Sequence, residues 1–403
     1  MNNTLLVKNF GPIINNEGVS VEICPVTVFC GDQATGKSTV AKLISEFSWL
    51  EKALSRGDFP VKEITQYDRF RKKYCAFHSI DNYFKKSTYL RYDGTCFIFE
   101  YRDGHLSVIS KSGADYVRPQ VMYVPAERNL LSAIEHAEKI KRLPASLSVF
   151  LDEYLKALRS SKGVIQLPLN GFSIQYDKLN RVTWVAGQDF KVRTHEAASG
   201  LQSVAPLSIV SNYLASLVKE NNEQKALSEE SAEERLRLEK TIQLILRDKT
   251  LEDSVRVALM RQLNEDAFNR CFINIVEEPE QNLFPRSQRV VLNELLKLRA
   301  KVPNNKLIFT THSPYMINFL TLSVKAGQIK AQYPDADVSR VVPDGCEISS
   351  EQLAIYQLTS RGEIFKLSSY EGLPSDDNYL NQSLEETNTL FGDLLDTESN
   401  FLL

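Results

Sequence analysis

Residues 26–44, VTVFCGDQATGKSTVAKLI, contain a pattern that few backbone geometries accommodate: Gly31-Asp32-Gln33-Ala34-Thr35-Gly36-Lys37-Ser38 fits G-x-x-x-x-G-K-[ST]. Residues 26–30 form a short apolar run suited to a buried strand, and Val40, Leu43 and Ile44 recur at helical spacing after it. A glycine loop between a strand and a helix directs successive backbone N–H groups and the helix N-terminus at one point, where phosphate binds. Residues 31–39, through Thr39, are therefore expected to hold a triphosphate. Lys37 would reach the β and γ oxygens, and the Ser38 hydroxyl would ligate Mg²⁺. Residues 33–35 carry fewer glycines than many such loops.

A triphosphate site needs acidic groups at the end of a neighbouring strand. The run Cys271-Phe272-Ile273-Asn274-Ile275-Val276 reads as a buried strand and delivers Glu277, Glu278 and Glu280 to its C-terminal edge. Acidic residues around Pro279 would also suit the first turn of a helix. With a phosphate loop elsewhere in the chain, Glu277 fits the metal-holding role and Glu278 the orientation of attacking water. The usual metal-holding residue is aspartate, so the extra methylene of Glu277 makes its contact less direct.

Two further stretches fit the same chemistry. EAASGLQSV, residues 196–204, opens a helix-like stretch to about Val218, and Ser199-Gly200 at its start offers a hydroxyl and open N–H groups. Ser-Gly is also a common plain cap. KLIFTTHSPYMINFL, residues 306–320, is a strand that ends at His312, where an imidazole can reach a γ-phosphate. A lone histidine is more often structural.

Around these stretches the chain alternates β-rich and helical segments. Residues 4–13 and 19–23 read as strands, and residues 88–110 hold three β runs turned by Asp93-Gly94 and Asp103-Gly104. Residues 164–192 return to antiparallel patterning, with turns near Asn170-Gly171 and Gly187-Gln188. The charge-dense stretch 219–268 spaces Leu238, Ile242 and Ile245, then Leu251, Val255, Leu259 and Leu263, as a helical hairpin. From about Ser323 a small α+β tail is expected, with a hairpin at Arg361-Gly362 and a helix near 384–395. The division is a head of residues 1–218 and 269–325, a hairpin insertion of 219–268 and a C-terminal extension of 326–403. A net charge of −3 gives no global attraction to nucleic acid, and six cysteines without C-x-x-C pairing read as reduced core thiols. No apolar run reads as a membrane span or signal peptide, so transport by this chain alone is not expected.

In chain order the set is residues 31–38, Ser199-Gly200-Leu201-Gln202, Glu277-Glu278-Pro279-Glu280 and Thr311-His312-Ser313. It resembles the ABC-type ATPases of the SMC-like and OLD-like (overcoming lysogenization defect) group, whose corresponding segments are Walker A, signature, Walker B with D-loop, and switch histidine. YVPAERNLL, EEPEQNLFP and THSPYMI are similar in wording to stand-alone OLD-like ATPases of bacterial anti-phage systems, of PARIS or Septu type. The resemblance covers roughly residues 4–320. It implies an α/β P-loop NTPase fold of ABC-ATPase type with an antiparallel β subdomain, ATP and Mg²⁺ as ligands, and slow regulatory hydrolysis with Glu278 and His312 catalytic. Ser199, Gly200 and Gln202 would contact nucleotide across a homodimer or larger homo-oligomer, Ser199 of one protomer facing the γ-phosphate held by Lys37 of the other. A separate nuclease effector and a phage protein as trigger follow from the same likeness, which leaves nucleic acid open as a partner; the cytoplasmic setting is expected from the reduced cysteines.

The chain departs from the group's pattern in two places. The signature reads Ser-Gly-Leu-Gln, and Phe284 stands where relatives often carry histidine. Gln120 and the Glu127-Arg128 pair are the Q-loop candidates. A DNA-binding repair ATPase of SMC or RecF kind is the alternative function, although its long coiled-coil arms have no counterpart in a 50-residue-scale insertion. A self-contained OLD-like nuclease would need a Toprim domain after His312, where only an isolated Asp335-Ala336-Asp337 is found.

Overall fold

The computed structural model describes residues 2–112, 116–169, 171–227 and 269–402. The chain opens with antiparallel β1 (Asn3–Phe10) and β2 (Ser20–Ile23), then β3 (Val26–Gly31), whose six residues are all buried. The phosphate-loop helix α1 (Lys37–Arg56) follows, with the short α2 (Val61–Thr65) behind it. Strands β4 (Phe84–Asp93), β5 (Phe97–Arg102) and β6 (His105–Ser110) complete a five-stranded sheet ordered β2-β1-β4-β5-β6. Asp103 and Gly104 both take positive φ, 51° and 81°, which is the turn that Asp-Gly favours between antiparallel strands.

The chain then makes β7 (Pro119–Val124), α3 (Leu130–Ala133) and α4 (Ala145–Ser160). A four-stranded antiparallel sheet comes next, built of β8 (Val164–Gln166), β9 (Ser173–Asp177), β10 (Val182–Ala186) and β11 (Lys191–Arg193). The main elements that follow are α5 (Ser199–Leu227), β12 (Cys271–Glu277), α6 (Pro285–Ala300), β13 (Lys306–Thr311), α7 (Pro314–Gln332), β14 (Leu353–Leu358), β15 (Ile364–Lys366) and α8 (Tyr379–Leu402).

A six-stranded sheet ordered β15-β14-β3-β13-β12-β7 organises the molecule, and all its pairings are parallel except β14 with β15. Its strands are near-continuous apolar runs because both faces are covered. Alternation sorts them: Val26, Val28, Cys30, Phe272 and Val276 enter a core shared with α4, α5, α6 and α7, whereas Phe29, Ile273, Ile275 and Ile308 enter a core shared with α1 and the five-stranded sheet. All six cysteines are free, and five are buried.

Three findings revise the expected layout. β13 lies between β3 and β12, so the acidic strand is next but one to the loop strand rather than beside it. The segment expected as a C-terminal extension supplies β14, which pairs in parallel with β3 from Leu353↔Val26 to Leu358↔Gly31. A hydrophobic Leu353–Leu358 run completes the second side of β3, and Asn16 binds the Glu363 carboxylate beyond it at 2.9 Å. Finally, α5 runs past Val218 to Leu227. The hairpin positions from Leu238 to Leu263 lie outside the described residues. Within α5, residues 199–223 are long and apolar enough to cross a membrane by length and composition, against the sequence expectation. Its apolar window is 72% buried against the sheet and neighbouring helices, the environment of a core helix.

Candidate nucleotide site

The loop after β3 is shaped by close approach. Gly31 has φ +136°, and a Cβ there would stand 2.2 Å from the Leu358 carbonyl oxygen. Gly36, at φ +101°, would meet Ile13 at 2.9 Å. Both positions therefore require glycine. Ala34, in the glycine-poor part of the loop, takes φ +60°, a conformation that costs an alanine about 1 kcal/mol. Within the loop Thr35 Oγ1 donates to the Asp32 carbonyl at 2.9 Å, and the Gln33 N–H donates to the Asp32 carboxylate at 2.7 Å.

The loop, Ser38 and Thr39 line a cavity of about 840 Å³ together with Glu278, Glu280 and His312. Across it runs a chain of polar groups. Lys37 Nζ donates to the carbonyls of Gly31 at 3.0 Å and Asp32 at 2.5 Å and lies 3.3 Å from His312 Nδ1. On the other side of the ring, His312 Nε2 lies 3.1 Å from Glu278 Oε1. In this arrangement Nδ1 can accept from the ammonium while Nε2 donates to the carboxylate. That bond from His312 holds the Glu278 carboxyl below the usual carboxylate range despite burial. Glu278 is therefore an ionised acceptor at neutral pH.

Backbone geometry aims this carboxylate. Glu278 sits at φ +44°, outside the strand conformation, and its N–H is fixed by Thr310 through the carbonyl at 3.1 Å and Oγ1 at 3.2 Å. Glu280 fixes the histidine strand in turn: its Oε1 accepts from Thr311 Oγ1 at 2.7 Å and from the His312 N–H at 2.8 Å. Burial raises the Glu280 pKa, and its buried Oε2 has no hydrogen-bond partner among the described residues. Glu277, by contrast, does not line the cavity. It lies on the α1 side of the sheet, where Tyr123 Oη donates to Oε1 and the Ala126 N–H donates to Oε2 at 3.3 Å.

The Ser199 segment stands apart. Ser199 is exposed, Gln202 is turned back to donate to the His195 carbonyl at 3.0 Å, and neither lines the cavity of its own chain. Gly200 has a clear physical role, because a Cβ there would stand 2.8 Å from the Asn282 carbonyl, where the acidic turn crosses the start of α5. Gln120 sits where β7 begins, bonded to Asn269 at the opposite end of the sheet from the loop. It cannot serve a Q-loop. The sequence reading missed Gly11, Pro12, Tyr83, Gln281 and Asn282 as cavity-lining residues. Tyr83 offers an aromatic face, and Gly11 is the signal for it, since a Cβ at Gly11 would stand 2.4 Å from the Tyr83 ring.

The residues fit the ligands that the loop implies: N–H groups and an ammonium for phosphate, and a half-exposed Ser38 at the cavity wall for Mg²⁺. Burial lowers the Lys37 pKa to about 8. Phosphate binding needs the ammonium, so ATP affinity is expected to fall about tenfold per unit as pH rises above that value. For folding the sign is opposite. The unfolded chain keeps this proton up to about 10.5, so stability contributed by this group rises between about 8 and 10.5. Equilibrium binding between pH 7 and 9.5 checks the first statement, and a profile that parallels that of Lys37→Ala would refute it.

A phosphate loop between β3 and α1, an acidic turn two strands away and a histidine strand between them define an α/β P-loop NTPase head. Residues 255–317 match the family model described as AAA ATPase domain. Among solved structures, the chain is similar to the SMC head domain from Thermotoga maritima, with 10% identity, TM-score 0.38 and coverage of 92% of this chain and 100% of that one. It is also similar to an Smc head with an extended coiled coil bound to the C-terminal domain of ScpA, from Pyrococcus furiosus, with 10% identity, TM-score 0.38 and coverage of 97% and 98%. An ATP-binding cassette of an ABC transporter in its ADP conformation gives 11% identity, TM-score 0.33 and coverage of 92% and 93%. Comparison with curated proteins gives no match. At these scores the class rests on the chain's own strand order and site geometry.

Proposed function

We propose that the chain is an ATP-binding and hydrolysing switch of a bacterial anti-phage defence system, cytoplasmic, whose nucleotide-dependent assembly controls a separate effector, with a nuclease as the class proposed. The observation that carries the ATPase reading is the Lys37–His312–Glu278 chain opening on the phosphate loop. Loop N–H groups and Lys37 would hold the phosphates and Ser38 would hold Mg²⁺, while Glu277, which lies outside the cavity, would act on the metal only indirectly. A bound Mg²⁺ would supply charge neutralisation for the triphosphate. Glu278 accepts a proton from the attacking water, and His312 fixes the carboxylate while facing the γ-phosphate. A carboxylate whose proton affinity is lowered is a weak base, which supports slow, regulatory turnover.

The exposed Ser199 supports a head-to-tail pair in which each chain completes the other's site. The defence role is supported by the wording of YVPAERNLL, EEPEQNLFP and THSPYMI. We further propose that residues 1–218 and 269–325 form the head together with β14 and β15, with 219–268 as an insertion available to partners. Cells carrying the gene with its flanking genes should resist phage, and Lys37→Ala should abolish that protection. Protection that survives Lys37→Ala would refute the switch. DNA-stimulated ATP turnover without any protection would favour the repair-ATPase alternative.

A further inference from the structure

Arg128, in the PAER stretch, is fully buried, yet its guanidinium forms no ion pair with any described residue. It spends its donors on backbone carbonyls from three segments. Nη1 donates to Pro125 at 3.2 Å and to Glu277 at 2.6 Å, Nη2 donates to Glu278 at 2.7 Å, and Nε donates to Ser203 in α5 at 3.2 Å. The carbonyls of Glu277 and Glu278 flank the positive-φ residue that aims the candidate base. Ser203 belongs to the first turns of α5, the helix that Ser199 opens.

We propose that Arg128 is a positioning residue that couples the placement of the α5 N-terminus to the orientation of Glu278. Resting on the ATPase reading above, this makes the segment expected to face a partner's nucleotide mechanically continuous with the water-orienting carboxylate. Two contacts run parallel to the arginine. Ser203 Oγ bonds Gln281 Oε1 at 3.1 Å, and Gly200 permits the close crossing at Asn282. A displacement of α5 therefore moves the acidic turn with it. A buried, unpaired cation is costly, and burial pulls its pKa down to about 10. The planar fork matters because a lysine ammonium offers its three donors from a single atom and cannot reach carbonyls that Nε, Nη1 and Nη2 reach separately.

The test is a cycle of Arg128→Lys, Glu278→Gln and the double variant, with single-turnover ATP hydrolysis, equilibrium nucleotide binding and thermal unfolding measured on each. Arg128→Lys should slow hydrolysis about 10- to 100-fold while leaving ATP affinity within about twofold. In the Glu278→Gln background it should cost nothing further, because its effect passes through Glu278. A further loss of the same size there, a proportional loss of ATP binding, or unchanged turnover in the single variant would overturn the inference. If Arg128→Lys does not fold, Arg128→Gln, which keeps a planar donor but cannot reach all three segments, takes its place in the same cycle. It should slow turnover severalfold in the wild type and be silent with Glu278→Gln, and absence of a wild-type effect refutes the coupling. A wild-type chain without ATP hydrolysis would sink the ATPase reading itself, an outcome distinct from all of these.

Discussion

Glu278→Gln is expected to bind ATP normally and hydrolyse it about 100- to 1,000-fold more slowly, which is the contribution of a positioned base. The amide preserves shape and can still accept a hydrogen bond from His312 Nε2, so the chain from Lys37 through the imidazole survives. What is lost is the proton acceptor. With hydrolysis stalled, ATP-bound dimers or larger assemblies should accumulate, visible as a lasting rise in mass by light scattering after ATP addition. Lys37→Ala should show the converse, weakening nucleotide binding by about 10- to 100-fold through loss of a charge-assisted contact. Turnover of Glu278→Gln within about twofold of wild type would remove Glu278 from its role.

The second large effect concerns two inactive proteins. Ser199→Arg should abolish turnover although Ser199 does not line its own chain's cavity, and Lys37→Ala should abolish it from within. Mixed in equal amounts, the two are expected to recover about a quarter of wild-type activity, since half the dimers are mixed and each carries one intact site. Absence of recovery in proven mixed dimers would argue against shared sites. Recovery well above a quarter would mean that the sites do not act independently.

Much of this was legible in the sequence because local chemistry fixed it. The loop of residues 31–38 could join only a strand to a helix, and the buried runs that became β3, β12 and β13 were apolar enough to need cover on both faces. Asp-Gly pairs likewise placed turns in the five-stranded sheet. What escaped depended on partners distant in the chain. Nothing local distinguishes Glu280, which pins the His312 backbone, from Glu277, which turns toward Tyr123, because the difference is made by β13 and β7. Tyr83 reaches the cavity only through the fold of β1 beside it. Arg128, a Q-loop candidate in the sequence, owes its placement to three segments that converge on it only in the fold. Leu353–Leu358 read as part of a tail because the sequence does not show that β3 lacks a neighbour on one side.

That last pairing bears on how the protein comes into being. The nucleotide cradle precedes Leu353–Leu358 by more than three hundred residues, yet β3 acquires its second flank only from that run, and the tight fit of Gly31 depends on the Leu358 carbonyl. A nascent chain emerging from the ribosome therefore displays its most recognisable motif long before that motif can be rigid. Contacts separated by more than three hundred residues are slow to close, and an unpaired apolar strand waits in the meantime. A rigid nucleotide cradle is thus expected only once Leu353–Leu358 has been made.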